Sequence, residues 1–437
     1  MQPTLWVVAC VGVIILLIAL HSMQTAFFLL IFSMLFSPEI AVGDAVGGGV
    51  GGRPVTFRLD DLLLIVIGFT WLVKMVVDRD LPVFKRTPLN RPILYYVLVC
   101  VFSTMVGMLT GHVNPRVGFF WVLKYFEYFF LFFMVINHIT TKAQVIRCLV
   151  AALVVGFLVS LFAIGQIPSG ERATALFEGK VGEPNTLGGY LVLMMAIVIG
   201  LMIYMDSLLI RGGLSVLLVC LVIALLATLS RTSYITAVVL ALIVLVSHWK
   251  NPLVIGTVLA GALVLVLFAP SVVTERVLFT VNQDQHLGQV QIGGWHLDTS
   301  TSDRIKGWQK LLSYWVERPL FGKGVASVWW ADSQYVKVLA ETGLFGLTAF
   351  LFISVRLWRG ARVAFEKAQD SWEKGLAYGF LLGMIAMLVH ALAANTFSIV
   401  RIMEPFWLLA GLVMLIPMLK RQSEFLEPSP ANDQAIA

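Results

Sequence analysis

The stretch LLATLSRTSYITAVVL, residues 225–240, decides how the chain folds. It lies in a tract from Gly212 to Ser247 whose only formal charge is Arg231. A charged side chain at mid-bilayer costs roughly 3 kcal/mol on insertion scales. The cost falls if the tract is two helices, 212–230 and 232–248, each near the roughly 20 residues that cross a bilayer. Arg231 then sits at their turn, at a membrane–water boundary rather than at the midplane.

The rest of the chain has the same character. Hydrophobic residues make up 59% and charged residues only 13%, where soluble domains carry about 25%. The mean hydropathy of +0.89 agrees with a polytopic membrane protein. Candidate apolar segments fall at 4–20, 23–36, 60–77, 92–110, 118–137, 144–166, 185–205, 212–230, 232–248, 252–269, 343–358, 376–394 and 403–419; the first two are short, split only by His21-Ser22, and form either a tight hairpin or one broken helix. The expected fold is all-α, a polytopic membrane bundle of about 12–13 transmembrane helices in one domain. Its parts are an N-terminal bundle (1–269), a large external loop (270–342) with short amphipathic helices, and C-terminal helices with a tail (343–437). The N-terminus MQPTLWVVAC lacks the basic n-region and the cleavage site of a signal peptide, so the first segment is expected to be retained.

Orientation follows from lysine and arginine in short loops. Residues 78–91, 356–374 and 420–422 are basic, which assigns them to the cytoplasm together with the C-terminus. Lys142, Arg147, Arg211 and Lys250 fall on the same side. Loops around Gly47, Pro115, Pro168 and Asn395, the Ser230-Arg231 turn and the segment 270–342 then face outward. The excess of six positive charges fits these juxtamembrane residues. No basic patch is interleaved with aromatics, which argues against nucleic-acid binding. Cys10, Cys100, Cys148 and Cys220 lie in apolar segments without ligand spacing and read as small hydrophobes. The glycine-rich 41–54 lacks the GK[ST] ending of a phosphate loop and reads as a flexible connector.

The segment 270–342 is too long for a simple connector. SDRIKGWQKLLSYWVERP (302–319) reads as a helix with Ser302 as cap and Pro319 after its end. Ile305, Trp308, Leu311, Leu312, Trp315 and Val316 share one face, which suits a membrane interface. Gly322 and Gly324 allow a tight turn around Lys323, and a second short helix is expected to run through Tyr335 and Glu341 into the next span.

Four stretches resemble the O-antigen ligase and O-antigen polymerase family of bacterial envelope enzymes: ERATALFEGKVGEPNTLGGYL (171–191), TLSRTSYI (228–235), SDRIKGWQKLLSYWVERPLFGKG with DSQYVKVLAETGLFGL (302–347), and NTFSIVRIMEPFWLLAGL (395–412). The resemblance implies a GT-C-like glycosyltransferase of the bacterial inner membrane, acting at its periplasmic face. The implied donor is a glycan on undecaprenyl diphosphate; the acceptor is lipid A-core, as in ligases, or another lipid-linked glycan, as in polymerases. It further implies inversion at the anomeric carbon, no metal and no cofactor. Membrane lipids, and for a polymerase a chain-length regulator, are the expected partners.

Residue chemistry points the same way. A diphosphate leaving group needs a cation where charge develops. Arginine suits it, with a planar fork that stays charged. Arg172, Arg231 and Arg304 match the resembling stretches. Arg116 and Arg401 join them by their place on the outer face. Lys323, Tyr335 and Glu341 are further substrate-binding candidates. Ligases of the family carry a histidine where this chain reads WWADSQYV (329–336). Asp332 stands at or beside that position and is the candidate general base; the alternative is a helix N-cap. His286 and His296 lie earlier in the loop, and His390 is read as hydrogen-bonded inside the bundle. Lys124 and Glu127 read as an i,i+3 pair facing the bundle. The competing reading is a transporter or lipid-glycan flippase, which would place its charges near the midplane on paired halves.

Overall fold

The computed structural model describes residues 22–41, 56–77, 85–176, 182–252, 255–256, 261, 289–292, 295–296, 298–328 and 332–426. The expected span 4–20, most of 252–269, all but the first residue of the glycine-rich 41–54, and His286 lie outside them.

The regular structure of the described residues is helical apart from two short antiparallel ribbons, β1 (Glu39–Ala41) with β2 (Thr56–Arg58) and β3 (Gln291–Ile292) with β4 (Trp295–His296). The helices are α1 (Met23–Phe36), α2 (Leu59–Val77), α3 (Asn90–Leu109), α4 (Pro115–His138), α5 (Lys142–Gly165), α6 (Pro184–Tyr204), α7 (Leu208–Ala227), α8 (Arg231–Ser247), α9 (Thr299–Glu317), α10 (Gln334–Lys367), α11 (Ser371–His390) and α12 (Val400–Leu426). Eight are long and apolar enough to cross a membrane, and α1 and α8 are shorter apolar helices. The chain is a multi-pass integral membrane protein.

Two helices form the centre. Within α6 and α12, 89% of the apolar window is buried, against 39% in α3 and α7, so the latter pair lies at the rim. On α3, Leu94, Leu98, Phe102, Met105 and Leu109 are exposed; three- and four-residue steps carry most of this stripe, as expected of a lipid-facing side. α6 packs on α11 and α7, α12 on α4, and α10 on α3 and α11. The α6–α11 contact depends on small residues, as close helix crossings in membranes do. A Cβ on Gly375 would lie 2.8 Å from Leu201 Cα, and one on Gly379 2.8 Å from Ile197 Cα.

The two ends of the bundle differ. At one end Lys142 pairs with Asp370 and Glu373, both at 2.9 Å, and Ser371 bonds Asp206. A cavity there is lined by Arg86, Arg356, Arg359 and Lys367. The helix ends carrying the loops expected to be basic therefore meet on one side. The opposite end carries the α7–α8 turn, α9 and the starts of α10 and α12.

α10 is two helices joined at a break. Gly343 has φ 66° and ψ −162°, where a Cβ would collide with Leu320, so glycine is required. The freed N–H groups of Leu344 and Phe345 donate to Pro319 and Leu320 carbonyls at 2.9 and 3.2 Å. The short helix expected through Tyr335 and Glu341 is the first half. Gly322 and Gly324 take φ of 64° and 102°, as their turn requires. α9 corrects one boundary: Asp298, not Ser302, is the N-cap residue. Ser302 lies inside the first turn and is buried, its Oγ accepting from the Val290 N–H at 3.0 Å.

Candidate active site

Helix α7 ends at Ala227 and α8 starts at Arg231, so the break expected at Ser230-Arg231 is present. Ser230 caps α8, its Oγ accepting from the Ser233 N–H at 3.3 Å. Leu229 has φ 49°, an uncommon conformation for a residue with a Cβ. The carbonyls at such a helix end have no intrahelical partner. Arg172 supplies one: its Nε donates to the Thr228 carbonyl at 3.2 Å and its Nη2 to that of Leu229 at 3.3 Å. The Ala173 N–H adds a bond to the Ala227 carbonyl at 2.9 Å. A cation at a helix C-terminus is also favoured by the helix dipole. The segment 171–176 is thereby laid over the turn.

Arg231 reaches from the same turn to α9, where its Nη2 donates to Asp298 Oδ2 at 2.7 Å. The Asp298 side chain is 1% exposed. Burial acts to raise its carboxyl, but bonds from Arg231 and Thr301 outweigh that and hold it below the ordinary value of 3.8. On the same helix, Arg304 Nε donates to Asp332 Oδ2 at 3.2 Å. Two residues later the Gln334 N–H donates to the carbonyls of Ala391 and Ala394 at 2.9 and 3.2 Å, which seats Asp332 beside the end of α11. Ser333, not Asp332, occupies the N-cap position of α10.

Beneath these groups runs a buried polar chain. His390 is fully buried. Its Nε2 meets Ser233 Oγ at 3.1 Å and its Nδ1 meets Thr396 Oγ1 at 2.8 Å. Ser230 Oγ lies 2.8 Å from Ser233 Oγ and donates to Asn185 Oδ1 at 2.7 Å. Gly188 makes room, since a Cβ there would lie 2.8 Å from Ser233 Cβ. Arg304 is within electrostatic reach of His390. Five separate segments thus converge: 171–176, the α7–α8 turn, the start of α9, residues 332–334 and the end of α11.

The other candidates have different surroundings. Arg116 is exposed on the first turn of α4. Lys323 Nζ pairs with Glu317 at 2.5 Å and sits 4.0 Å over the Tyr314 ring, which fixes its loop to α9. The Lys323 hydrogen bond holds the exposed Glu317 carboxyl below its ordinary value. Glu341 is buried and accepts from the Ala326 N–H at 3.1 Å, while its carbonyl receives Ser103 Oγ at 2.7 Å. The Tyr335 hydroxyl donates to the Leu388 carbonyl at 2.8 Å. Arg401, 2% exposed, donates to the carbonyls of Leu35, Leu176 and Ser37 at 3.0–3.1 Å and so ties α1 and the segment after Arg172 to α12. His296 lies in β4, and its side chain falls outside the described residues.

Residues 214–351 match the family model described as O-Antigen ligase.

No curated protein matches the chain. The O-antigen ligase match supports the resemblance to the ligase and polymerase family and the membrane O-antigen ligase or polymerase activity that goes with it. It covers Arg231, Asp298, Arg304 and Asp332 and ends inside α10. Arg172 and His390 lie outside the O-antigen ligase segment, and the fold brings them to it. Asp298 is absent from the sequence-based candidates. It stands 67 residues from Arg231, in a tract without periodicity, and its only signal was the capping preference of aspartate before a helix.

Proposed function

We propose that this protein is an integral membrane glycosyltransferase that moves a glycan from undecaprenyl diphosphate to an acceptor hydroxyl on the outer face of the inner membrane. The acceptor is a lipid-linked glycan or lipid A-core, and transfer inverts the anomeric carbon without a metal at the diphosphate. The carrying observation is the convergence of Arg172, Arg231 and Arg304 with Asp332 at one end of the bundle.

A guanidinium is a planar fork of five N–H donors that stays charged. Arg231 and Arg304, each already oriented by an aspartate, offer charge to the diphosphate oxygens as the glycosidic bond breaks. Arg172 orders the turn that carries Arg231 and adds a third positive charge. Asp332 accepts the proton of the attacking hydroxyl, with Arg304 fixing the carboxylate orientation. The Asn185–Ser230–Ser233–His390–Thr396 chain holds α8 and α11 in register beneath the reacting atoms. The cations of this site gather at one end of the bundle, which favours one-sided chemistry there.

The test is transfer by purified full-length protein in liposomes, supplied with lipid-linked oligosaccharide and acceptor. Product formation that falls at least a hundredfold in folded Arg304→Ala supports the reading. Movement of the lipid across the bilayer with no transfer overturns it in favour of a flippase.

A further inference from the structure

A second cluster of charge lies on β2, α2, α4 and α12, elements other than those that converge at the α7–α8 turn. Arg58, Asp60, Asp61, Lys124 and Glu404 are all under 9% exposed, and the Glu127 side chain is 10% exposed. Arg58 Nη2 lies 2.7 Å from Asp60 Oδ2 and 3.6 Å from Glu404 Oε2. Lys124 Nζ lies 3.1 Å from Glu127 Oε2 and is in short contact with Asp61 Oδ1. Four carboxylates therefore meet two cations. Arg401, one turn before Glu404, is engaged with three carbonyls; counting its charge as well still leaves a negative excess.

The excess has a location. Asp60, Glu127 and Glu404 each offer an oxygen, and the three oxygens lie within 4.8 Å of one another. Asp60 Oδ1, Glu127 Oε1 and Glu404 Oε1 are buried and find no hydrogen-bond donor among the described residues. Buried carboxylates facing each other without a donor are not stable as such: a cation comes between them or protons neutralise them. Only oxygen donors face this point, which selects a hard cation. Three oxygens no more than 4.8 Å apart can share one such ion, whose oxygen ligands sit at roughly 2.0–2.6 Å for magnesium or calcium.

We infer that Asp60, Glu127 and Glu404 bind one hard divalent cation, of the calcium and magnesium class, that clamps α2, α4 and α12 together. The ion is structural and makes no claim on the diphosphate. Arg58 and Lys124 hold the outer oxygens of the carboxylates, and the inner oxygens face the ion. Two protons shared among the carboxylates are the competing way to cancel the charge.

The experiment uses the full-length protein in detergent, purified without chelator. Elemental analysis and thermal unfolding are compared with and without EDTA, then after calcium or magnesium is restored. About one calcium or magnesium ion per chain, an EDTA-lowered melting midpoint and its recovery when that ion is restored are expected. Glu404→Gln and Asp60→Asn should each lose the bound metal and the response to that ion, and Mn2+ loaded into wild type should give an electron paramagnetic resonance signal that the same ion displaces. Wild-type protein that carries no divalent metal and melts identically with calcium, with magnesium and with EDTA overturns the site, whatever the variants do. Because both readouts are independent of glycan transfer, failure here leaves the proposed function standing, and the reverse also holds.

Discussion

Arg231→Ala separates a structural arginine from a functional one. The change leaves the Asp298 carboxylate, 1% exposed, without its 2.7 Å partner. Breaking a buried pair from one side costs about 3–5 kcal/mol. Arg231 is itself 19% exposed, so solvent screening brings the expected loss to about 2–3 kcal/mol. Asp298→Ala in the same chain removes the stranded charge, and the double variant should recover most of that stability. Transfer should not recover with it. Losing a donor aimed at developing charge typically costs about 10²–10³ in rate, and both the single and the double variant should show that loss. Stability is read from melting in detergent and transfer from product formed on lipid-linked donor. A double variant that transfers glycan at the wild-type rate would refute the reasoning, because Arg231 would then serve only to neutralise Asp298.

Asp332→Asn keeps the geometry opposite Arg304 but cannot take a proton; transfer should fall about 10²–10⁴-fold while retention of the lipid-linked donor on the protein is unchanged. Asp298 has a folded pKa below its ordinary 3.8, so its pair contributes stability that is complete above that value and is lost only as the pH falls through the lower folded value; the melting difference between wild type and Asp298→Asn should stay level from pH 7 to about 5 and shrink below about 4. Ser233→Ala leaves His390 and Ser230 each short of a buried partner, and melting should report a loss of about 1–3 kcal/mol. Gly379→Ala forces the α6–α11 crossing apart at Ile197, with an expected cost of about 1–3 kcal/mol from overpacking.

The spans that the structure describes were readable because lipid removes alternatives. A long apolar run must satisfy its backbone internally, and a helix does so. The Ser230-Arg231 break was readable for a related reason, since one charge in so apolar a tract has a favourable place only at a boundary. Gly322 and Gly324 announced a turn. What escaped the sequence were pairings between distant elements. Nothing in HLDTST ties Asp298 to Arg231. His390 stood out as an intramembrane histidine, but its partners Ser233 and Thr396 belong to a different helix and to the short turn before α12. Arg401 shared the outer face with the other arginines, yet the ends of α1 and of the 171–176 segment present it with three carbonyls and draw it inward. Lys124 and Glu127 were legible as a pair, whereas Asp60, Asp61 and Glu404 join them only through the packing of α2 and α12 on α4. Local physics writes helices and turns into consecutive residues; sites assembled across hundreds of residues leave only their residue types behind.

The most direct measurement is a cryo-electron microscopy map of the full-length protein in lipid with undecaprenyl diphosphate bound. The account places the two phosphate groups against Arg231 and Arg304, with Arg172 alongside and the lipid chain leaving toward the bilayer. Phosphate density at the opposite end of the bundle, or density at this end untouched by those guanidiniums, would contradict it.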